Sequence, residues 1–271
     1  MIDEVVLTRY LYNHIEVRQS LFISILNHDI DEALYWTYEL YYSGLKDTFI
    51  EFLIDIYLLI YKSDNPEMEE FIMNQIEQLR NKDNELLLGN IVATLCTRQY
   101  DLQKFCKKFL HVDTSQTNKE NRPKLIVKLN EEYIEQYKTK NEQRIYRTLR
   151  NVIKYPIRKD LNKLFNASSN FDYEAMKNIY HNDWLYFTRN CPVWNERINE
   201  HNGIVDDNRK TILFPNDDEL EEFYQKWGYE PDEQPSNIQN ALMGTANCEY
   251  INIKGFCKKY NLTMKTKKIQ K

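Results

Sequence analysis

Apolar residues recur at helical spacing through the first 110 residues, with a stop signal at nearly every break. The pattern predicts helices over 17–27, 30–42, 48–62, 66–80, 84–97 and 101–110. Asp29 followed by Glu32 reads as a capping box, because the Asp oxygen can take a free backbone N–H while the Glu carboxylate reaches back. Ser43-Gly44 should end the second helix, since glycine accepts a left-handed backbone. Asp47 is placed as the cap of the third helix, and Asp64-Asn65-Pro66 closes it and opens the fourth with proline in the first turn. These helices make three hairpins whose first members begin near residues 17, 48 and 84. Spacings of roughly 31 and 36 fall in the range of two-helix repeats, but no repeat consensus accompanies them. A layered bundle is the preferred reading over a short array. The stretch ALYWTYELYY (33–42) is apolar or aromatic almost all round, so it should be central.

Beyond a polar, proline-ended stretch at 111–123, the periodicity predicts helices over 125–138, 142–154 (ended or kinked by Pro156) and 157–166. From residue 171 the pattern loosens: a helix at 173–180, a tryptophan-rich stretch around Trp184 and Trp194, a short strand at 211–214 and a capped helix at 217–227. The expected fold is mainly α, a helical bundle or short array of helical hairpins with an irregular C-terminal region holding at most a short strand or hairpin. The segments are a bundle over 1–112, a linker at 113–123, a basic helical segment at 124–166, an acidic region at 167–262 and a basic tail at 263–271.

Charge sharpens this division. Residues 1–112 carry 10 bases and 18 acids, 113–166 carry 13 and 7, 167–249 carry 6 and 16, and 250–271 carry 7 and none. Alternating blocks suggest separate surfaces or docking of unlike segments within the chain. The 271-residue chain, 42% apolar and 28% charged with six Gly and seven Pro, is neither disordered nor collagen-like. Residues 49–61 are broken by Glu51 and Asp55 and fall short of a membrane span, and the acidic N-terminus does not read as a secretion leader. Five scattered cysteines suit reduced thiols and an intracellular, cytoplasmic location. Asn 28, Ile 25, Lys 24 and Tyr 20 point to an AT-rich genome, so some Asn and Tyr positions reflect codon bias.

Catalytic signatures are sparse. No glycine spacing makes a phosphate cradle, and neither C-x-x-C nor H-E-x-x-H occurs. The nearest metal-like groupings are His181 with Asp183, and His201 with Asp206 and Asp207. The acids of 217–222 suit the start of a helix, where they complement its dipole. Cys191 beside His181 or His201 is the one arrangement a nucleophile would need. No catalytic residue, metal ligand or cofactor is expected.

Two features could serve recognition. Arg144, Arg147, Arg150, Lys154 and Arg158, with Lys159, form a basic stripe opposite Ile145, Leu149, Val152 and Ile153. Such a row could meet nucleic-acid phosphates, an acidic partner or the acidic faces of this chain. A solvated or internally paired face is the simplest account. Aromatic and acidic residues Trp227, Tyr229, Glu230, Asp232 and Glu233 form a candidate docking element for a protein partner.

Residues 25–66, together with 184–198 (WLYFTRNCPVWNERI) and 221–235 (EEFYQKWGYEPDEQP), resemble uncharacterised helical proteins of nucleocytoplasmic large DNA viruses, particularly mimivirus-like giant viruses. The resemblance implies a viral origin and a helical fold, and no catalytic residue. The ALYW helix is also faintly similar to the helical collar of clamp-loader-like ATPases, whose nucleotide-binding motifs this chain lacks. The expected function is a non-enzymatic scaffold or adaptor working through protein contacts, with no membrane and no nucleotide cofactor. The alternatives are a nucleic-acid-associated factor using 144–163 and a virion structural component.

Overall fold

The computed structural model describes residues 5–82, 84–116, 122–138, 145–165 and 173–265. The chain is mainly α-helical, as its pattern implies. Helices α1 (His14–Leu26), α2 (Ile30–Tyr42), α3 (Lys46–Ile56), α4 (Glu69–Asn81), α5 (Glu85–Thr97) and α6 (Gln103–Phe109) follow one another in the first half. A π-helical turn, Tyr57–Tyr61, extends α3. Asp47 therefore lies in the first turn of α3 instead of capping it, and Leu45 holds the cap position without a side-chain bond. Asp29 caps α2 as expected, accepting from the Glu32 N–H at 3.0 Å. The reciprocal half of the capping box is absent, because the Glu32 carboxylate is taken by Trp36 and Arg158.

Helix α2 packs against both α1 and α5, burying the unbroken run from Glu32 to Leu40. A solenoid would restrict each hairpin to its neighbours in sequence, so this packing is that of a layered bundle. Gly44 ends α2 at φ +82°, and a Cβ there would lie 2.6 Å from Pro192. Only glycine allows both this backbone and the approach of the C-terminal half.

The segment 122–130 departs from expectation: it is not helical. It runs along α5, where Thr94 Oγ1 accepts from the Val127 N–H (3.0 Å), Asn90 Oδ1 accepts from the Leu129 N–H (2.7 Å) and Arg98 donates to the Leu125 carbonyl. Polar side chains of α5 thus supply the bonds that a helix would have made internally. Helix starts only after Asn130, which caps α7 (Glu131–Glu135). The stretch read as a linker contains β1 (Thr114–Gln116), paired antiparallel with β4 (Leu262–Met264).

Helices α8 (Ile145–Val152), α9 (Asn162–Phe165), α10 (Tyr173–Asn178), α11 (Trp184–Thr188) and α12 (Pro192–Glu200) follow. A second π-helical turn, Ile179–Asp183, joins α10 to α11. Strands β2 (Ile204–Asp206) and β3 (Thr211–Leu213) make a hairpin, the second strand lying where a strand was expected. Helix α13 (Asp217–Trp227) has the predicted bounds, and α14 (Ser236–Met243) and α15 (Ile253–Lys259) follow it, ahead of β4. One buried apolar cluster runs from Val5 to Leu262. No helix among the described residues is long and apolar enough to cross a membrane.

Candidate interaction surfaces

The basic stripe is divided by what lies beneath it. Arg144 falls outside the described residues, as does the Arg147 side chain. Leu149 is fully buried, while Arg150 and Lys154 are exposed and make no ion pair among the described residues. The chain beyond α8 is then fastened to the N-terminal bundle. Tyr35 donates to the Val152 carbonyl, Tyr12 donates to the Tyr155 carbonyl at 2.8 Å, and the Arg158 N–H donates to Ser20 Oγ at 2.9 Å. Arg158 forks onto the buried carboxylate of Glu32 through Nε and Nη2, the Nε bond being 2.7 Å. That bidentate contact and the neighbouring acids hold the Arg158 guanidinium above its ordinary range against the opposing effect of burial. Lys159 corrects the expectation of a binding residue: its ammonium is buried, 3.2 Å from Glu16 of α1. The far end of the stripe is an internal clasp, and the acids that meet it come from α1 and α2.

The second candidate surface is a pinned loop. Tyr229 also corrects the expectation, since its ring is 3% exposed and packs on Trp194 at 5.4 Å instead of facing a partner. Burial pushes its hydroxyl well above the ordinary tyrosine range. Around this anchor Gln234 Nε2 donates to the Tyr229 carbonyl (2.6 Å), and Gln239 Nε2 donates to the carbonyls of Gln234 (2.7 Å) and Asp232 (2.9 Å). Glu230, Asp232 and Glu233 remain exposed. Glu230 stands at φ +43°, a left-handed conformation that costs a side-chain-bearing residue about 1–2 kcal/mol. Burial raises its carboxyl pKa, and the charges of Glu233 and Asp232 raise it further. The loop thus holds like charges together on a strained backbone.

Trp227, the remaining docking candidate, is half-buried over the Arg197 guanidinium. Arg197 is a residue that sequence reasoning passed over. Its i, i+3 spacing from Trp194 was the available signal, whereas its second indole lies thirty positions away.

The catalytic possibilities resolve differently. Cys191 is buried, its thiol donates to the Ser43 carbonyl at 3.3 Å, and burial raises its pKa to about 12. A thiol so held is not a thiolate nucleophile at neutral pH. His181 meets Gln239 at 3.4 Å. His201 meets Glu219, not Asp206 or Asp207, at 3.1 Å. His201, Glu219 and Glu222 bring ligand atoms within 4.8 Å of one another and are the residues best placed to hold a cation. The His201–Glu219 hydrogen bond and the dipole of α13 also account for their placement.

Cavities are open and modest. One of about 360 Å³ is lined by His28, Tyr100, Tyr260, Asn27, Arg122 and Lys259, among others. Several of its polar groups bond protein atoms: His28 Nδ1 lies 2.7 Å from the Cys96 carbonyl and Tyr260 meets Asn27 at 3.3 Å. Another of about 330 Å³ is bordered by Phe22, Phe52, Phe105 and Phe109.

These features define a mainly α-helical protein with a charged, partly strained surface. No family model, no curated protein and no solved structure matches the chain.

Proposed function

We propose that the protein is a non-enzymatic adaptor that docks a basic segment of a partner protein on the loop 230–233. The observation that supports this reading is the strained backbone at Glu230, which keeps three exposed carboxylates together on a rigid, hydrogen-bonded frame. Local strain and like-charge crowding persist where surrounding structure over-determines them, and they concentrate at recognition sites. The giant-virus resemblance suggests infection by a large DNA virus as the setting. The test uses a fluorescent Lys/Arg-rich peptide across a salt series, with the Glu230→Gln, Asp232→Asn, Glu233→Gln variant beside the native chain. Salt-sensitive binding that the variant loses is expected. Equal binding by both proteins, or none at low salt, overturns the reading.

A second reading is nucleic-acid association, favoured by the exposed Arg150 near the end of α8 and Lys154 just beyond it, neither of which makes an ion pair among the described residues. Binding of single-stranded RNA and duplex DNA across the same salt range tests it. An Arg150→Ala, Lys154→Ala variant should lose most binding at low salt. With Arg158 and Lys159 drawn inward, the salt slope should reflect only a few phosphate contacts.

A further inference from the structure

Burying a guanidinium without a counter-charge is costly. Arg197 is 7% exposed and has no carboxylate within ion-pair distance among the described residues. Its guanidinium carbon lies over two indole rings, 4.5 Å from the Trp194 ring centre and 4.1 Å from that of Trp227. Cation–π contacts offset part of the desolvation. Ring faces supply no hydrogen-bond acceptor in the plane of the N–H donors. Among the described residues, Nη1 of Arg197 is buried without a hydrogen-bond partner, and so is Nε1 of Trp227 beside it. Buried donors in native proteins are nearly always bonded, and two orphans side by side call for an acceptor.

We propose that the Trp194–Arg197–Trp227 cluster is the seat of an oxyanion site, taking a carboxylate or phosphate group whose oxygens accept from the guanidinium edge and the Trp227 N–H. The planar fork of arginine matches two oxygens borne on one atom. Trp194, fully buried, is the inner wall, and Trp227, half-buried at the end of α13, is the outer one. Lys226 lies 4.8 Å above the Trp227 ring and adds positive potential in a region that is otherwise acidic, though it also pairs with Glu200 at 3.2 Å. The inference uses none of the carboxylates of 230–233 and stands whether or not those bind a partner.

The experiment is thermal unfolding followed by far-UV circular dichroism, with tryptophan fluorescence recorded in parallel. Inorganic phosphate, acetate and chloride are titrated at matched ionic strength into the native chain and into Arg197→Met, Arg197→Lys and Trp227→Phe variants. A ligand that binds only the folded state raises Tm by mass action. Phosphate or acetate should raise Tm above the chloride control and shift the fluorescence of the native chain. Whichever anion acts identifies the ligand class. Phosphate also stabilises proteins by surface exclusion, and that part should survive in Arg197→Met, so the difference between the two proteins is the readout. Arg197→Lys, which keeps the charge and loses the fork, should weaken the response at least tenfold. Trp227→Phe should keep the Tm response to within a few-fold and lose most of the fluorescence change. If neither anion exceeds chloride, or if Arg197→Met or a folded Arg197→Lys responds as the native chain does, the site does not exist.

Discussion

Asparagine is the residue through which this chain sets its boundaries. Asn13, Asn84, Asn130, Asn216 and Asn252 each cap a helix, their side chains accepting a backbone N–H two or three residues on. The chain holds 28 asparagines, and helix starts put these five to use. Asn216 Oδ1 accepts from the Glu219 N–H at 2.9 Å, so Asn216→Ala should cost about 1 kcal/mol in urea denaturation. Glu230 points the other way. Glu230→Gly removes both the left-handed strain and one repelling carboxylate, and should stabilise the fold by about 1 kcal/mol while weakening capture of the basic peptide. A cap such as Asp29 is legible in sequence because donor and acceptor lie within a turn. The cluster at Arg197 is not, because its halves meet only after α12 and α13 have packed. The thiols give a further check. Four of the five are buried and Cys248 is half-buried, with burial raising all five above their ordinary range. A thiol reagent at neutral pH should therefore label about one site quickly and the remainder only in denaturant. Rapid labelling of Cys191 would contradict its placement.

At the scale of elements, amphipathic periodicity tells which face of a helix is apolar and not what will cover it. The apolar side of α8 was readable, and Leu149 is indeed buried. The fate of the basic side was not, because Arg158 and Lys159 follow Pro156 and turn inward onto α2 and α1. The first half of the stretch 125–138 departs from its predicted helix for a related reason, while Glu131–Glu135 is helical. The spacing of that first half suits a helix, yet Asn90 and Thr94 of α5 offer competing acceptors for its N–H groups. Removing one half of the clasp should show its worth. Among the described residues, Arg158→Ala leaves the Glu32 carboxylate, 2% exposed, with only the Trp36 N–H at 3.1 Å. Discounted for the partial exposure of Arg158, the expected loss is about 2 kcal/mol in chemical denaturation. Glu32→Gln on the same background should recover much of it, since no uncompensated charge then remains buried. A loss as large in the double variant would mean that the arginine acts through its packed stem and not through its charge.

For the whole molecule, the alternation of charge is a record of how the chain docks on itself. The basic block 113–166 returns to the acidic first block through Lys124–Glu67 (2.9 Å), Lys138–Glu85 (3.0 Å), Arg158–Glu32 and Lys159–Glu16 (3.2 Å). The acidic region 167–249 is joined to the same bundle by neutral contacts. The Leu7 N–H donates to the Phe187 carbonyl, and Trp194 Nε1 donates to the Thr8 carbonyl at 3.1 Å. Closing these loops costs chain entropy that only the completed core offsets. Tyr12, Tyr35 and Ser20 of the segment 1–112 hydrogen-bond across to 152–158, so the expectation is that this segment does not fold independently of the rest. Urea unfolding of the full chain should give one transition, with ellipticity and tryptophan fluorescence coincident. The isolated 1–112 fragment, stripped of the cover on α1 and α2, should retain helical ellipticity without a cooperative transition. A fragment that unfolds sharply, or two separated transitions in the full chain, would show instead that the helical bundle stands alone and that the later half is a domain added to it.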